Sequence, residues 1–211
     1  MALSKGELRK LERKCRKLPP GKDWRCKDYV TNLMLTALDF QLRVKVVNEI
    51  IKAFQNQFGK QSHRWLKAQI GKFPNTKAGN KLLARHLWRK NLWTRAKFLR
   101  VIVNRFDQLG ITDQKSLRAW LKGADFERDI RGKFKSKDHS MGIAIFHWLC
   151  LRSGIDTVKP DLHVLNFVTE AIGRRAGPQE TIEGLRVIAK KLRVKMYRLD
   201  SAIWQYQRNL H

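Results

Sequence analysis

The sequence RGKFKSKDHSMGIAIFHWLCLRSGIDTVKPDLHVLNFVTEAIG, residues 131–173, decides the fold predicted for this chain. It opens with a basic turn, and an apolar run then predicts a buried helix from about Ser140 to Arg152. After a glycine-containing loop, Pro160 and Asp161 open a second helix. Proline fixes its own φ, and an Asp at a helix start accepts hydrogen bonds from the free amides of the first turn. These amides and the helix dipole favour an ionised Asp161, which is therefore either a helix cap or a functional carboxylate.

Helical periodicity also covers most of the chain outside this stretch, and no segment requires a β-strand. The run YVTNLMLTALDFQLRVKVVNEIIKAF predicts two helices joined by a short connection near Asp39, and the C-terminal LDSAIWQYQRN predicts a closing helix. The sequence therefore predicts an all-α fold. Residues 1–27 form a basic N-terminal segment, which is either a phosphate-neutralising face or simply a solvated helix or partly disordered tail.

The charge balance restricts the partners. Lys and Arg total 45 against 18 Asp and Glu, a net charge of +27, and such an excess favours a polyanion, with nucleic acid ahead of an anionic membrane surface. No apolar run is long enough to span a bilayer, and no secretory signal is found, so we expect a cytoplasmic, nucleoid-associated protein. Three cysteines without CxxC spacing, Cys15, Cys26 and Cys150, fit a reducing compartment and make a zinc site unexpected.

The chain resembles the helix-hairpin-helix DNA glycosylases, a superfamily that includes endonuclease III, MutY and the alkyladenine and oxoguanine enzymes. The resemblance is carried by the Asp161–Val164 sequence DLHV after an apolar helix, by YVTNLMLTALDF, and by the terminal LDSAIW. It covers about residues 28–209 and is strongest over 140–173. It implies an all-α, two-lobed domain over residues 28–211 with a cleft between the lobes. One lobe would hold about residues 40–160, and the N- and C-terminal helices would form the other.

The resemblance also implies an activity. This class of protein extrudes a damaged or mispaired base and cleaves its N-glycosidic bond, and Asp161 would be the catalytic carboxylate. Bifunctional members carry a nucleophilic Lys near the start of the second hairpin helix. Here that position falls on His139 or Ser140, which implies a monofunctional enzyme that uses water, with Lys137 as the alternative nucleophile. The chain lacks the C-terminal cysteines of the iron-sulfur members, so no cofactor and no metal are expected.

The resemblance places the DNA contacts as well. The glycine-rich hairpin turn of the superfamily keeps only Gly132 here, so phosphate contact is expected from lysines and a serine instead. A wedge that fills the gap left by the extruded base is expected at Leu38, with Gln41 nearby, although Leu38 could equally pack in the core. His163 is a further DNA-contacting candidate. The partner is expected to be duplex DNA bound by a monomer. The residues expected to contact its phosphates are Lys133, Lys135, Lys137 and Ser140.

Two other functions fit the same residues. One is a non-catalytic nucleic-acid-binding protein that keeps this fold with a decayed site. The other is a basic protein directed to RNA or to a structural role, which would bind structured RNA more tightly than duplex DNA that carries a lesion.

Overall fold

A computed structural model describes residues 2–39 and 42–209, and in this part of the chain all regular secondary structure is helical apart from one isolated β-bridge between Lys135 and Ser140. The all-α prediction is therefore confirmed for the described residues. In chain order the α-helices are α1 (Lys5–Cys15), α2 (Tyr29–Leu38), α3 (Val44–Phe58), α4 (His63–Gly71), α5 (Lys77–Trp88), α6 (Trp93–Gln108), α7 (Gln114–Leu121), α8 (Ile143–Arg152), α9 (Leu162–Ile172), α10 (Pro178–Leu192) and α11 (Met196–Arg208), with a π-helix at Phe126–Ile130.

The chain divides into two compact units. The first unit combines the residues up to Arg25 with those from Phe146 onward, and the second unit is the contiguous segment Cys26–Ile145. The sequence placed its central lobe at about residues 40–160, whereas the contiguous unit begins earlier and ends within α8. Asp161 therefore belongs to the first unit, and the basic hairpin that precedes α8 belongs to the second.

The second unit is built around α2 and α6. Nearly every residue of α2 is buried, and α6 packs against α2, α4 and α5. Asp28 caps α2 by accepting a 2.7 Å hydrogen bond from the amide of Thr31. Leu38, at the C-terminal end of α2, has 0% of its surface exposed. The structure therefore supports the core alternative for Leu38 and contradicts its use as a DNA wedge in this conformation, because a fully buried side chain presents no surface to a base stack.

The first unit packs α1 and α11 against α9 and α10. Leu11 on α1 is fully buried, and the Nζ of Lys14 lies 2.6 Å from a carboxylate oxygen of Glu170 and 4.6 Å from the centre of the Phe167 ring. A capping box at Ser4 starts α1. Residues 5–15 of the basic N-terminal segment are therefore a packed helix and not a disordered tail, and whether its exposed cations meet phosphates stays a prediction.

Candidate active site

Asp161 caps α9 and keeps part of its carboxylate accessible. Its Oδ1 accepts hydrogen bonds from the amides of His163, at 3.1 Å, and Val164, at 3.2 Å. Its Oδ2 lies 3.6 Å from the Nζ of Lys159, and 23% of the Asp161 side chain is exposed. The helix start thus fixes the orientation of the carboxylate through one oxygen, the other oxygen lies beside an ammonium group, and part of the side chain remains exposed.

Lys159, the ion-pair partner of this carboxylate, also contacts a cluster of tryptophans in the first unit. The Trp24 ring makes edge-to-face contacts with Trp148 and Trp204, at centroid distances of 6.0 and 5.8 Å. These three residues are the tryptophan cluster below. Lys159 and the buried Arg152 lie over the Trp148 ring, at 5.1 and 4.8 Å from its centroid, which is within cation–π distance.

The candidate DNA-contacting residue His163 lies at the edge of this cluster. It is half-buried, and its ring centroid is 6.5 Å from that of Trp204. The structure therefore brings two residues named from the sequence, Asp161 and His163, to one place. Lys159 was missed, although its position two residues before Asp161 in the sequence KPD could have indicated it.

A second acid, Asp200, supports the segment that precedes Asp161. It lies in α11, only 4% of it is exposed, and its Oδ1 accepts a 2.6 Å hydrogen bond from the amide of Lys159. Burial raises the pKa of Asp200 to about 7, and the nearby negative charge of Asp161 acts in the same direction, against the lowering effect of the Lys159 amide. In the LDSAIW sequence Leu199 and Ile203 are buried, and the sequence analysis did not identify Asp200, which lies between them, as a functional candidate.

The basic hairpin differs from the predicted helix start. Lys135 and Ser140 form the β-bridge, and Ser136 closes the turn: its amide donates to the carbonyl of His139 at 2.7 Å, and its Oγ accepts from the amide of His139 at 3.0 Å. The predicted helix start at about Ser140 is therefore wrong, and α8 begins at Ile143 because the turn occupies the preceding residues.

Backbone amides at the start of this hairpin are already used. Gly132 has a φ of +74°, a left-handed conformation that glycine adopts without strain. The amides of Arg131, Lys133 and Phe134 donate to carbonyls at the two ends of the π-helix, those of Phe126 and Ile130. Any phosphate contact here would therefore come mainly from side chains, and Lys133, Lys135, Lys137 and Ser140 are all exposed.

The other two catalytic candidates, Lys137 and His139, lie in the second unit, whereas Asp161 lies in the first. The Nε2 of His139 is 3.0 Å from the Oγ1 of Thr94, and its ring contacts Phe98. Burial lowers the pKa of His139, and the positive charge of Arg95 adds to this effect. These contacts fix the hairpin to α6. The candidate wedge residue Gln41 lies outside the described residues.

Residues 2–39 and 42–209 contain neither a metal-ligand cluster nor a membrane-spanning helix. No three His, Cys, Asp or Glu side chains gather there in an arrangement that could hold a metal ion. None of the helices in this part of the chain is both long and apolar enough to cross a membrane.

Comparison with known proteins gives a family. Residues 9–208 match the family described as Domain of unknown function (DUF8548), so the chain belongs to that family. No curated protein and no solved structure matches it. Its function is therefore argued from the site.

Proposed function

We propose that this member of the DUF8548 family is a base-excision DNA glycosylase, in which Asp161 assists hydrolysis of the N-glycosidic bond of an extruded base. The observation that carries the proposal is the arrangement at the start of α9. Two helix amides hold one oxygen of Asp161, the other oxygen lies beside Lys159, and the side chain as a whole is partly exposed.

This arrangement suits a reaction in which positive charge develops on a sugar. As the bond between C1′ and the base nitrogen breaks, its electron pair leaves with the base, which takes up a proton. A fixed carboxylate stabilises the cation that forms on the sugar, because its orientation requires no reorganisation at that moment. The water oxygen then bonds to C1′, and the Oδ2 of Asp161 can accept the proton that this water loses.

Lys159 gives the site a second possible chemistry. A glycosylase that also cleaves the strand needs an amine that attacks C1′, and Lys159 is an amine beside Asp161. Its Nζ is held in an ion pair with the Asp161 carboxylate, and an ammonium group is not a nucleophile. Hydrolysis by water is therefore the proposed reaction. Lys159 and Lys137 are the residues to test for lyase activity.

The proposed partner is duplex DNA that carries a damaged or mispaired base, bound by a monomer in the nucleoid. The net charge of +27 favours a polyanion. The tryptophan cluster offers aromatic surface beside the carboxylate, and bases stack on such surfaces irrespective of sequence.

A non-catalytic nucleic-acid-binding protein is the second candidate function. It is favoured by the contacts of Asp161, which acts as a helix cap and an ion-pair partner and so has a complete structural role without any reaction. Under this alternative the tryptophan cluster and the exposed lysines bind nucleic acid, and Asp161 stabilises α9.

The deciding experiment measures base release from oligonucleotides that carry uracil, oxidised guanine, alkylated purines or mismatches. Asp161→Asn keeps a cap that is nearly as good, so its fold should survive, and Asp156→Asn, an exposed acid of the same unit, is the matched control. We expect alkali-dependent cleavage on one lesion that is lost only in Asp161→Asn. Cleavage without alkali that Lys159→Gln or Lys137→Gln abolishes would instead identify a lyase. DNA or RNA binding without base release from any lesion would establish the non-catalytic alternative.

A further inference from the structure

We infer that the second unit carries a separate anion site, at the N-terminal end of α5, that binds one backbone phosphate of a nucleic-acid strand. The inference takes from the proposed function only that nucleic acid is the partner. The site is a cavity of about 240 Å³, and its lining combines three lysines, an aromatic wall and small polar groups: Asn75, Thr76, Lys77, Asn80, Trp93, Lys97, Lys137 and Asp138.

The connection between α4 and α5, which forms one side of this cavity, is held by hydrogen bonds from a buried arginine. Arg100 on α6 is 7% exposed, and it donates hydrogen bonds to the carbonyls of Ile70 and Phe73, at 2.8 and 2.7 Å. Its Nε donates to the Oδ1 of the buried Asn80 at 2.7 Å, and the Nδ2 of Asn80 donates in turn to the Oδ1 of Asn75 at 3.2 Å. The connection between α4 and α5 is therefore rigid, and Asn75 at the cavity is held by buried groups.

Close packing of the same loop on α5 requires a glycine. A Cβ at Gly79 would lie 2.0 Å from the carbonyl oxygen of Pro74, so only glycine permits this approach. Thr76 caps α5 through its Oγ1, which accepts from the amide of Gly79 at 3.1 Å. The first turn of α5 contains no acidic residue. Its positive dipole is therefore not offset within that turn, which favours an anion at the adjacent cavity.

The charges around the cavity also fit one phosphate. Lys77 and Lys137 are exposed, and the Nζ of Lys77 lies 5.4 Å from the centre of the Trp93 ring. Lys97 pairs with Asp138 at 3.2 Å, and both side chains are partly exposed. The cavity is thus lined by three lysines and one carboxylate. A phosphate that replaced Asp138 beside Lys97 would lie in a cavity that also carries Lys77 and Lys137.

A second basic cavity in the protein lies at the opposite end of a helix. It lies in the first unit at the C-terminal end of α10, and its cations are Arg186, Lys190, Arg193 and Lys195. The last turn of a helix presents carbonyl oxygens and the negative end of the dipole, which favour these cations themselves over an added anion. The end of the helix therefore distinguishes the two cavities, and the one at α5 is the better phosphate site.

The test is the salt dependence of binding to a fluorescently labelled, undamaged duplex. The double variant Lys97→Gln/Lys137→Gln is compared with Lys52→Gln/Lys122→Gln, which removes the same charge from exposed lysines of the same unit outside the cavity. Loss of one phosphate contact should lower the magnitude of the slope of log K against log[salt] by about 0.9 in the cavity variant only. Equal slopes for the two double variants would overturn the inference, because a diffuse positive field would then account for binding.

A gain of affinity provides the complementary test. Asp138→Asn removes the carboxylate that competes for Lys97, so it should bind the duplex several-fold more tightly than Glu49→Gln, which removes an exposed acid of the same unit outside the cavity. Equal effects of the two variants would contradict the site. Inorganic phosphate at matched ionic strength should compete with the duplex for the wild type but not for the cavity variant. If phosphate binds while the cavity variant keeps the wild-type slope for DNA, the ligand is a free anion and the assignment to a nucleic acid is wrong. Because base release is not measured here, failure of the glycosylase proposal leaves this result unaffected.

Discussion

The buried carboxyl group of Asp200 should make the stability of the first unit depend on pH, and Asp200→Asn isolates the effect. Burial raises the pKa of Asp200 to about 7 in the folded protein. The substitution removes the titrating proton but keeps a side-chain oxygen that can accept the hydrogen bond from the Lys159 amide. Any constant cost of the new amide group appears equally at every pH, so the pH dependence of the difference between the proteins reports the carboxyl group alone.

The sign and size follow from proton linkage. Between the ordinary pKa of 3.8 and the folded value of about 7, the folded chain holds a proton on Asp200 that the unfolded chain has lost. The contribution of Asp200 to stability is therefore fully present below about pH 4 and falls as the pH rises towards 7. Each pH unit of this interval corresponds to about 1.4 kcal/mol, so the total is at most about 4 kcal/mol.

The assay is urea unfolding of both proteins at pH 5, 6, 7 and 8, followed by tryptophan fluorescence. The wild-type curve alone would mislead, because burial lowers the pKa of His147 to about 4 and so removes stability as the pH falls. The difference between Asp200→Asn and wild type cancels that opposing contribution. We expect the free energy of unfolding of the variant, relative to that of the wild type, to increase by about 1 kcal/mol per pH unit up to pH 7 and to stay constant above pH 7. A difference that stays constant over this range would refute the burial of a titrating carboxyl group at this position.

Two further outcomes test the packing. Gly79→Ala should lower the free energy of unfolding by about 1–3 kcal/mol, because its Cβ would meet the Pro74 carbonyl. Gly71→Ala, which has open space around its Cβ, should leave the free energy of unfolding nearly unchanged. Urea unfolding of both variants measures the difference. Burial raises the pKa of the thiols of Cys15 and Cys150 to about 12, so a thiol reagent at pH 8 should label only Cys26 rapidly in the native protein and all three cysteines in urea. Rapid labelling of three thiols without denaturant would contradict the buried positions.

Periodicity and capping were enough to predict the helices on either side of Asp161. Its place at the first turn of α9 was predicted from the Pro-Asp pair, because both residue types act locally on the backbone. The same local rules failed at residues 135–140, where Ser136 closes a turn with its own side chain and delays α8 to Ile143. Serine has no strong preference between a turn and a helix start, so pattern alone could not decide this case.

The surroundings of Asp161 depended on contacts that no local pattern contains. Asp200 reaches the amide of Lys159 across 41 residues of sequence, and Trp24 reaches Trp148 across a still longer separation. Nothing in the local sequence around Trp24, Trp148 or Trp204 indicates that the three rings meet. It did not identify Asp200, because an acid flanked by apolar residues in a helix reads as a surface residue until its burial is known.

The discontinuous first unit has a consequence for synthesis of the protein. Helix α1 packs on α9 and α10, yet residues 26–145 must leave the ribosome before either partner exists. At ordinary elongation rates this takes on the order of ten seconds. During that interval Leu11 and the rest of the apolar stripe of α1 have no partner within their own unit, while the contiguous segment can already collapse. Assembly in the cell is therefore expected to proceed from the middle of the chain outward, and the N-terminal helix, although made first, should be among the last elements to dock.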